Sequence, residues 1–334
     1  MNKFRALIVE EISENFFQRN VLEKSTDYLK KNDTFIKVCY STLNFKDALS
    51  ARGHKGITRN YPHIPGIDAS GIVIESKSDK FKTGDKVLVT GYDMGMNTFG
   101  GFSELISVPA EWIVPLPDNL SLKESMIFGT AGFTVGLSID AILHNYITPE
   151  DGSVLVTGAT GGVGSLAVMM LSKIGFKVIA STGKVDRTEF LLAIGADEVI
   201  SRDDVINETE KPLLPKKWIA VLDNVGGQTL STAIRATSNH GVVCSIGNTS
   251  SDKFWTSVYP FILRGVRLIG IDSAETQMTK RLNIWQNIST IWKPDKLDLI
   301  VKEINLESLS NEIDLMLQGK QCGKVLIKIS DENE

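Results

Sequence analysis

The chain has 334 residues and a formal net charge of −4, from 36 Lys and Arg against 40 Asp and Glu. This balance lacks the excess of positive charge that indicates binding to nucleic acid or to an anionic membrane surface. Hydrophobic residues make up 42%, the length predicts two domains, and no apolar run is expected to reach the roughly 18 residues of a membrane span. The cysteines, Cys39, Cys244 and Cys322, lie too far apart for a disulfide framework or a cysteine-rich zinc site, which favours a reducing compartment.

The first part of the chain, to about residue 120, is rich in short β-type runs and turn signals. Strands are predicted at residues 35–40, 71–74 and 86–90, with another entered through residues 100–108. Pro62, Pro65, Gly66 and Gly84 supply turns between them. This pattern predicts an antiparallel, barrel-like β domain.

From about residue 125 the chain alternates strands and helices. Strands are predicted at residues 154–157, 176–180, 196–200, 219–223 and 241–246, and helices at residues 165–174 and 187–194. This alternation is typical of a parallel, doubly wound sheet. A last strand at residues 323–329 is in a position to rejoin the first domain.

A glycine-rich loop follows the first strand of the alternating region. Its pattern is Ala159-x-Gly161-x-x-Gly164, with alanine in place of the first glycine of the dinucleotide-binding fingerprint. Gly161 lets the backbone approach a pyrophosphate, Gly164 permits close helix–strand packing, and the helix beginning near Gly162 points its N–H groups at the anion. A plain tight turn is the alternative, but the surrounding β-α-β-α-β succession favours a dinucleotide site.

The end of the second strand indicates which dinucleotide binds. NAD-specific sites place an acidic residue here, whereas Ala180 is followed by Ser181, Thr182, Gly183 and Lys184. Hydroxyl and amide donors with one cation suit a 2′-phosphate, although a solvated loop lysine is the alternative. We therefore expect NADP as the cofactor.

The chain resembles the medium-chain dehydrogenase/reductase superfamily, in its zinc-free quinone-oxidoreductase-like branch, and most of all the group of bacterial NADPH-dependent acrylyl-CoA reductases. The resemblance rests on residues 41–49, 59–60, 62–68, 129–134, 156–164 and 260–264, and so covers nearly the whole chain. The blocks 129–134 and 260–264 are specific to the group, and the loop motif is shared more widely.

The resemblance implies an α/β protein with a GroES-like β-rich domain and a Rossmann domain, divided as residues 1–124, 125–264 and a return segment, 265–334. It also implies a cytoplasmic homodimer acting on a small molecule, with no membrane or nucleic-acid partner. Carried over by position, the cofactor contacts are Phe45, Thr160, Gly161, Gly162, Val163, Thr182, Gly183, Lys184, Arg202, Asn248, Ile262, Ser273 and Lys324. Phe45, Asn248 and Lys324 depart from the group, which usually has tyrosine in place of Phe45.

The ligands of the zinc-dependent relatives are missing from the matching positions. Those relatives use a cysteine, a His-Glu pair and a downstream cysteine, whereas residues 44–47 and 66–68 contain no cysteine or histidine. The four histidines are scattered, and we expect them to be loop or surface residues, with the cysteines as small buried hydrophobes. No metal is predicted.

Hydride addition to an activated C=C bond suits such a site better than direct alcohol oxidation. The protein must orient the reactants and supply donors to the oxygen on which charge develops. Asn44 is the candidate donor and Asp47 its orienting partner, since their segment faces the nicotinamide in this superfamily; a capped turn before a helix is the alternative.

Three functions remain open from the sequence. The first is an NADPH-dependent 2-enoyl-CoA reductase acting on acrylyl-CoA to give propanoyl-CoA. The second is an NADPH:quinone oxidoreductase, because the same cofactor cleft accepts quinones. The third is a crystallin-like protein that binds NADPH without turnover.

Overall fold

The computed structural model describes residues 3–332, which form two compact units. The first unit holds residues 3–130 with Ala274–Asn283 and residues 301–332, and the second holds Ala131–Ser273 and Ile284–Ile300. The domain boundaries proposed above, after residues 124 and 264, stay predictions.

The first unit is built around a mixed sheet in which antiparallel pairs dominate. With numbering along the whole chain, its strands are β1 (Lys3–Ser13), β2 (Phe16–Ser25), β3 (Thr34–Leu43), β4 (Asp68–Ser76), β5 (Lys86–Thr90), β6 (Leu105–Val108), β7 (Ile113–Pro115), β14 (Val301–Asn305) and β15 (Lys324–Lys328), and its helices are α1 (Phe45–Ala51) and α9 (Leu309–Leu317). The sheet order is β14-β15-β3-β4-β5-β7, β6 also pairs with β3, and β1 and β2 form a separate hairpin. The last of these strands, β15, pairs antiparallel with β3, so the segment after residue 301 rejoins the first domain as predicted.

The second unit consists of β8 (Val154–Thr157), α3 (Gly162–Lys173), β9 (Val178–Thr182), α4 (Thr188–Ala193), β10 (Glu198–Ser201), α5 (Arg202–Val205), β11 (Trp218–Asp223), α6 (Gly227–Ala236), β12 (Thr237–Ser245), α7 (Tyr259–Arg264) and β13 (Arg267–Gly270). Its strands form a six-stranded parallel sheet in the order β10-β9-β8-β11-β12-β13. This is the strand order of a Rossmann fold, and it reverses between β8 and β11. The predicted α/β class, a β-rich domain with a doubly wound parallel-sheet domain, is confirmed.

Two helices have residues in both units, α2 (Leu122–His144) and α8 (Met278–Ser289). The expectation that no apolar run approaches a membrane span was wrong for α2, which has 23 residues and a mean hydropathy of 1.6 over an 18-residue window. Because 78% of that window is buried within the protein, its apolar residues serve the core. Gly129 interrupts the helical backbone of α2 with a φ of 50° and a ψ of −154°.

Candidate active site and cofactor loop

The glycine-rich loop joins β8 to α3 beside the point where the sheet order reverses. Thr160 is buried, and Gly161, Gly162 and Val163 are partly exposed at the first turn of α3. The free N–H groups of that turn and the positive end of the helix dipole suit an anion. The structure thus brings these four predicted contacts together where a pyrophosphate binds in dinucleotide folds.

Two glycines of this loop have different steric roles. A Cβ added to Gly164 would lie 2.3 Å from the Gly158 carbonyl oxygen and 2.6 Å from the Ala159 Cα, so the close approach of helix and loop depends on this glycine. A Cβ on Gly161 would have the Gly158 oxygen at 3.5 Å, an ordinary contact. The free space over Gly161 is therefore available to a ligand.

The end of β9 carries the predicted 2′-phosphate contacts. The Thr182 hydroxyl accepts a hydrogen bond from the Lys184 backbone N–H at 3.0 Å and lies 3.4 Å from the Thr160 hydroxyl. Arg202 follows β10, the parallel neighbour of β9, and its Nη2 would lie 2.9 Å from a Cβ on Gly183. A guanidinium, a hydroxyl and an exposed loop backbone therefore converge at this corner of the sheet.

The remaining contacts predicted for this unit are more dispersed. Asn248 is exposed and follows β12, and Ser273 is partly exposed and follows β13, so both lie beyond the carboxyl ends of parallel strands. Ile262 is on α7 and is 67% exposed. In Rossmann folds the ligand crevice lies outside these carboxyl ends, which suits Asn248 and Ser273.

The remaining predicted site residues lie in the first unit, beginning with Asn44 and Asp47 at the start of α1. One Asp47 oxygen accepts the Asn44 backbone N–H at 2.8 Å, which is the return bond of a capping box, and the other accepts the Ile67 N–H at 2.8 Å. The capped helix start considered above is therefore present. Asp47 is fully buried, whereas Asn44 is partly exposed.

The Asn44 side chain bridges two carboxylates. Its Nδ2 donates to Asp68 Oδ2 at 2.9 Å and to Asp47 Oδ2 at 3.2 Å. Asp68 also accepts the Thr130 backbone N–H at 2.8 Å and the Thr130 hydroxyl at 2.5 Å. The Asn44 amide NH₂ group also lies 3.4 Å from the Thr42 carbonyl oxygen, so its two hydrogens are already engaged and donation to a substrate requires one of these bonds to open.

Gly129 permits the contact between Thr130 and Asp68. A Cβ at this position would lie 2.6 Å from Asp68 Oδ2 and 2.8 Å from Thr42 Cγ2, and its φ of 50° disfavours any side chain. The bend at Gly129 thus brings the next backbone N–H to the Asp68 carboxylate.

Lys324, predicted as a cofactor contact, is 1% exposed and its Nζ lies 3.5 Å from Asn44 Oδ1. Burial lowers the pKa of Lys324 to about 8 against the opposing effect of Asp68 and Asp47. Burial, followed by the Asp68 charge, raises the pKa of Asp47 to about 7. Burial also raises the pKa of Asp68, although Lys324 and the Thr130 hydrogen bonds oppose it. We call Asn44, Asp47, Asp68, Thr130 and Lys324 the Asn44 cluster.

Phe45, the first residue of α1, is 47% exposed, so its ring is available for contact with a ligand. Sequence reasoning did not assign Asp68 or Thr130 a role in the site. The available signal was a carboxylate just before the strand-forming residues 69–74, because a buried aspartate requires compensating donors.

The residues present do not fit a zinc site. Asn44, Asp68 and Thr130 offer an amide, a carboxylate and a hydroxyl that already bond to one another, and within residues 3–332 no group of three His, Cys, Asp or Glu is arranged to hold a metal ion. His63 is buried, contrary to expectation, and burial lowers its pKa to about 4. Cys322 is partly exposed rather than buried.

Comparison with known proteins shows the family to which this chain belongs. Residues 30–118 match the family described as "Alcohol dehydrogenase GroES-like domain", and residues 162–288 match "Zinc-binding dehydrogenase". "Putative quinone oxidoreductase YhfP" from Bacillus subtilis is 45% identical over 98% of this chain and 99% of its own length, and the structure of that protein with NAD bound superposes with a TM-score of 0.96 over 98% of this chain and 100% of the other.

Two further relatives carry other names. "Acrylyl-CoA reductase AcuI" from Ruegeria pomeroyi is 36% identical over 98% of this chain and 99% of its own length. The yhdH oxidoreductase from Salmonella enterica, solved in complex with NADP, is 36% identical, with a TM-score of 0.95 over 98% of this chain and 100% of that one. The chain therefore belongs to the medium-chain dehydrogenase/reductase superfamily, in the zinc-free branch that includes quinone oxidoreductases and acrylyl-CoA reductases.

Proposed function

We propose that this chain is a zinc-independent, NADPH-dependent reductase that transfers hydride to the C=C bond of a short 2-enoyl-CoA, with acrylyl-CoA reduced to propanoyl-CoA. The coarser statement, an NADP-dependent oxidoreductase, follows from the family and from close structural neighbours solved with NADP or NADPH. The observation that carries the choice of substrate is the 36% identity to an acrylyl-CoA reductase over 98% of the chain.

The arrangement at the end of β9 supports NADP over NAD. A 2′-phosphate is close to a dianion at neutral pH and requires donors and positive charge. Thr182 supplies a hydroxyl, Gly183 an exposed backbone and Lys184 a cationic side chain, and the Arg202 guanidinium lies beside Gly183. The first acidic residue beyond this loop, Asp186, is exposed and pairs with Arg187 at 3.2 Å.

The residues of this chain bind and orient the reactants. NADPH, when bound, supplies the hydride. In the proposal, residues 160–163 bind the pyrophosphate and Phe45 offers its exposed ring to the cofactor. Asn44 donates to the thioester oxygen as negative charge develops there, and Asp47 orients Asn44. Water supplies the proton for the α-carbon.

An NADPH:quinone oxidoreductase is the second candidate, favoured by the 45% identity to the relative named "Putative quinone oxidoreductase YhfP". The discriminating experiment is an NADPH-oxidation assay with acrylyl-CoA, crotonyl-CoA and a benzoquinone in parallel. We expect the highest kcat/KM with acrylyl-CoA. Faster reduction of quinone than of every short enoyl-CoA would establish the second function, and NADPH binding without turnover of any acceptor would favour the crystallin-like alternative.

Turnover is expected to be independent of metal, because the donor atoms of Asn44, Asp68 and Thr130 are engaged with one another. Dialysis against a strong chelator should leave the rate unchanged. A lasting loss of activity that added zinc restores would contradict the proposal.

We also propose that the chain forms a homodimer in the cytoplasm. The segment before the edge strand β13 exposes six large apolar side chains, between 41% and 67% exposed: Phe254, Trp255, Val258, Tyr259, Ile262 and Leu263. Such a patch is unusual on a monomer and typical of an interface. Light scattering after size-exclusion chromatography tests this: we expect twice the chain mass of 36.7 kDa, and Trp255→Glu should favour the monomer.

A further inference from the structure

The Asn44 cluster buries more negative than positive charge. Asp47 and Asp68 are fully buried, and the hydrogen bonds that they accept come from neutral donors: backbone N–H groups, the Asn44 amide and the Thr130 hydroxyl. A buried carboxylate without a counter-charge tends to protonate. A protonated carboxyl would lose acceptor capacity for these donors, so the network requires positive charge nearby.

Lys324 is the cation that this network contains. Its ammonium is buried and, within residues 3–332, makes one hydrogen bond, a long one of 3.5 Å to Asn44 Oδ1, so it acts on the cluster mainly through its charge. The charge of Arg281 also reaches Asp68, but its guanidinium donates to the Thr90 carbonyl and hydroxyl oxygens and to the Ala274 carbonyl. Arg281 is therefore held by partners outside the cluster, at the end of β5 and in the segment after β13.

The bond to Lys324 also determines the orientation of the Asn44 amide. With Nδ2 between the two carboxylates, Oδ1 has to face a donor, and the Lys324 ammonium is that donor. An amide rotated by 180° would place its oxygen against two carboxylates and its NH₂ group against an ammonium. Both contacts would be repulsive, so one rotamer is selected.

We propose that Lys324 is a positioning residue: its buried ammonium compensates Asp47 and Asp68, holds the Asn44 amide in one orientation, and so fixes the start of α1 from which Phe45 projects. The network joins four chain segments, residues 44–47, 67–68, 129–130 and 324. The inference rests on the proposed function only in taking this segment to face the cofactor.

The test compares the pH dependence of stability in variants with different cluster charge. Lys324→Met removes the cation, which should shift the titration of Asp47 upward from about 7 by one pH unit or more. Asp68→Asn removes the neighbouring anion and should shift the same titration downward. Each shift is followed without substrate, by ¹³C NMR of the Asp47 carboxyl or by unfolding at a series of pH values.

Lys328→Met is the matched control. Lys328 is on the same strand, is exposed, and pairs with Asp331 on the surface. This variant should leave the Asp47 titration unchanged. The double variant Lys324→Met/Asp68→Asn removes one charge of each sign and should recover most of the stability lost in Lys324→Met alone. If Lys324→Met alone does not fold, the double variant is compared with Asp68→Asn, from which it differs only at Lys324, and its Asp47 titration should lie at the higher pH.

Activity gives the second readout. We expect Lys324→Met to lower kcat by about tenfold or more, because a catalytic group is misoriented, and to shift the pH–rate profile to higher pH. Lys324→Arg should restore most of the rate. Shifts of Asp47 in the same direction in Lys324→Met and Asp68→Asn, or strictly additive losses of stability, would overturn the proposal. Because the titration requires no substrate, failure of the enoyl-CoA assay would overturn the proposed function and leave this inference standing.

Discussion

The glycine-rich loop and the Asn44 cluster are both polar regions, but they are built from different groups. The loop presents backbone N–H groups at the start of α3, and two small residues determine what approaches it, Gly161 and Gly164. The Asn44 cluster consists of side chains, three of them ionisable and buried. A region made of backbone is sensitive to added volume, whereas one made of buried charge is sensitive to pH and to the loss of any partner.

The largest expected effect tests whether the cluster depends on one backbone bend. Gly129→Ala should destabilise the protein by about 3 kcal/mol or more, because strain at a positive φ adds to the overlap of a Cβ with Asp68 and Thr42. Gly84→Ala is the control, since Gly84 has a φ of 95° but no atom within 4 Å of its added Cβ. Guanidinium unfolding measures the stability of both variants. Equal losses of stability would mean that overlap of the added Cβ with Asp68 and Thr42 contributes nothing.

The second prediction concerns the charge of Asp47. Burial raises its folded pKa above the unfolded value, so its contribution to stability is present below about pH 4 and is lost as the pH rises to about 7. The variant Asp47→Asn has no carboxyl group at this position, so it does not lose stability in this way as the pH rises. The stability deficit of the variant should therefore narrow between pH 4 and 7, by at most about 1.4 kcal/mol per pH unit, and stay constant above.

Urea unfolding at a series of pH values measures this trend. Asp151→Asn provides the opposite case, because hydrogen bonds from Thr148 lower the pKa of the exposed Asp151. The stability of Asp151→Asn should therefore fall further below that of the unmodified protein as the pH rises through the acid range. A constant deficit for Asp47→Asn between pH 4 and 7 would mean that Asp47 does not titrate there.

In the loop, two alanine substitutions should separate folding from binding. Gly164→Ala is expected to cost about 1–3 kcal/mol of stability, because its Cβ overlaps the Gly158 carbonyl. Gly161→Ala should leave stability within about 1 kcal/mol and weaken NADPH binding by about tenfold, since the methyl group occupies the space over the loop. Unfolding curves and nicotinamide fluorescence titrations measure the two effects. If Gly161→Ala binds NADPH with unchanged affinity, the pyrophosphate does not bind over this loop.

The smallest expected effect is on cofactor preference. Lys184→Ala should weaken NADPH binding by roughly tenfold and leave NADH nearly unchanged, because one charge-assisted contact with the 2′-phosphate is lost. Arg187→Ala is the control, since Arg187 is exposed and pairs with Asp186. Equal affinity of the unmodified protein for NADPH and NADH would show that this loop does not select the phosphate.

The contrast between the two regions also explains what the sequence could predict. The loop lies within six consecutive residues between a strand and a helix, so its pattern is visible locally. The Asn44 cluster is assembled from residues up to 280 positions apart, and no local pattern joins Asn44 to Lys324. The α/β class with its doubly wound parallel sheet followed from periodicity, whereas the burial of α2 and of His63 depends on tertiary packing that periodicity does not report.

The position of β15 has a consequence for biosynthesis. This strand pairs with β3 through residues more than 280 positions apart, and it carries Lys324. A nascent chain leaves the ribosome from its N-terminus, so the parallel sheet of residues 154–270 is complete in sequence well before β15 emerges. Until then Asp47 and Asp68 lack their lysine, and the first unit lacks one of the strands that pair with β3. Both β15 and the charge that the aspartates require are therefore supplied only after the whole parallel sheet has been synthesised.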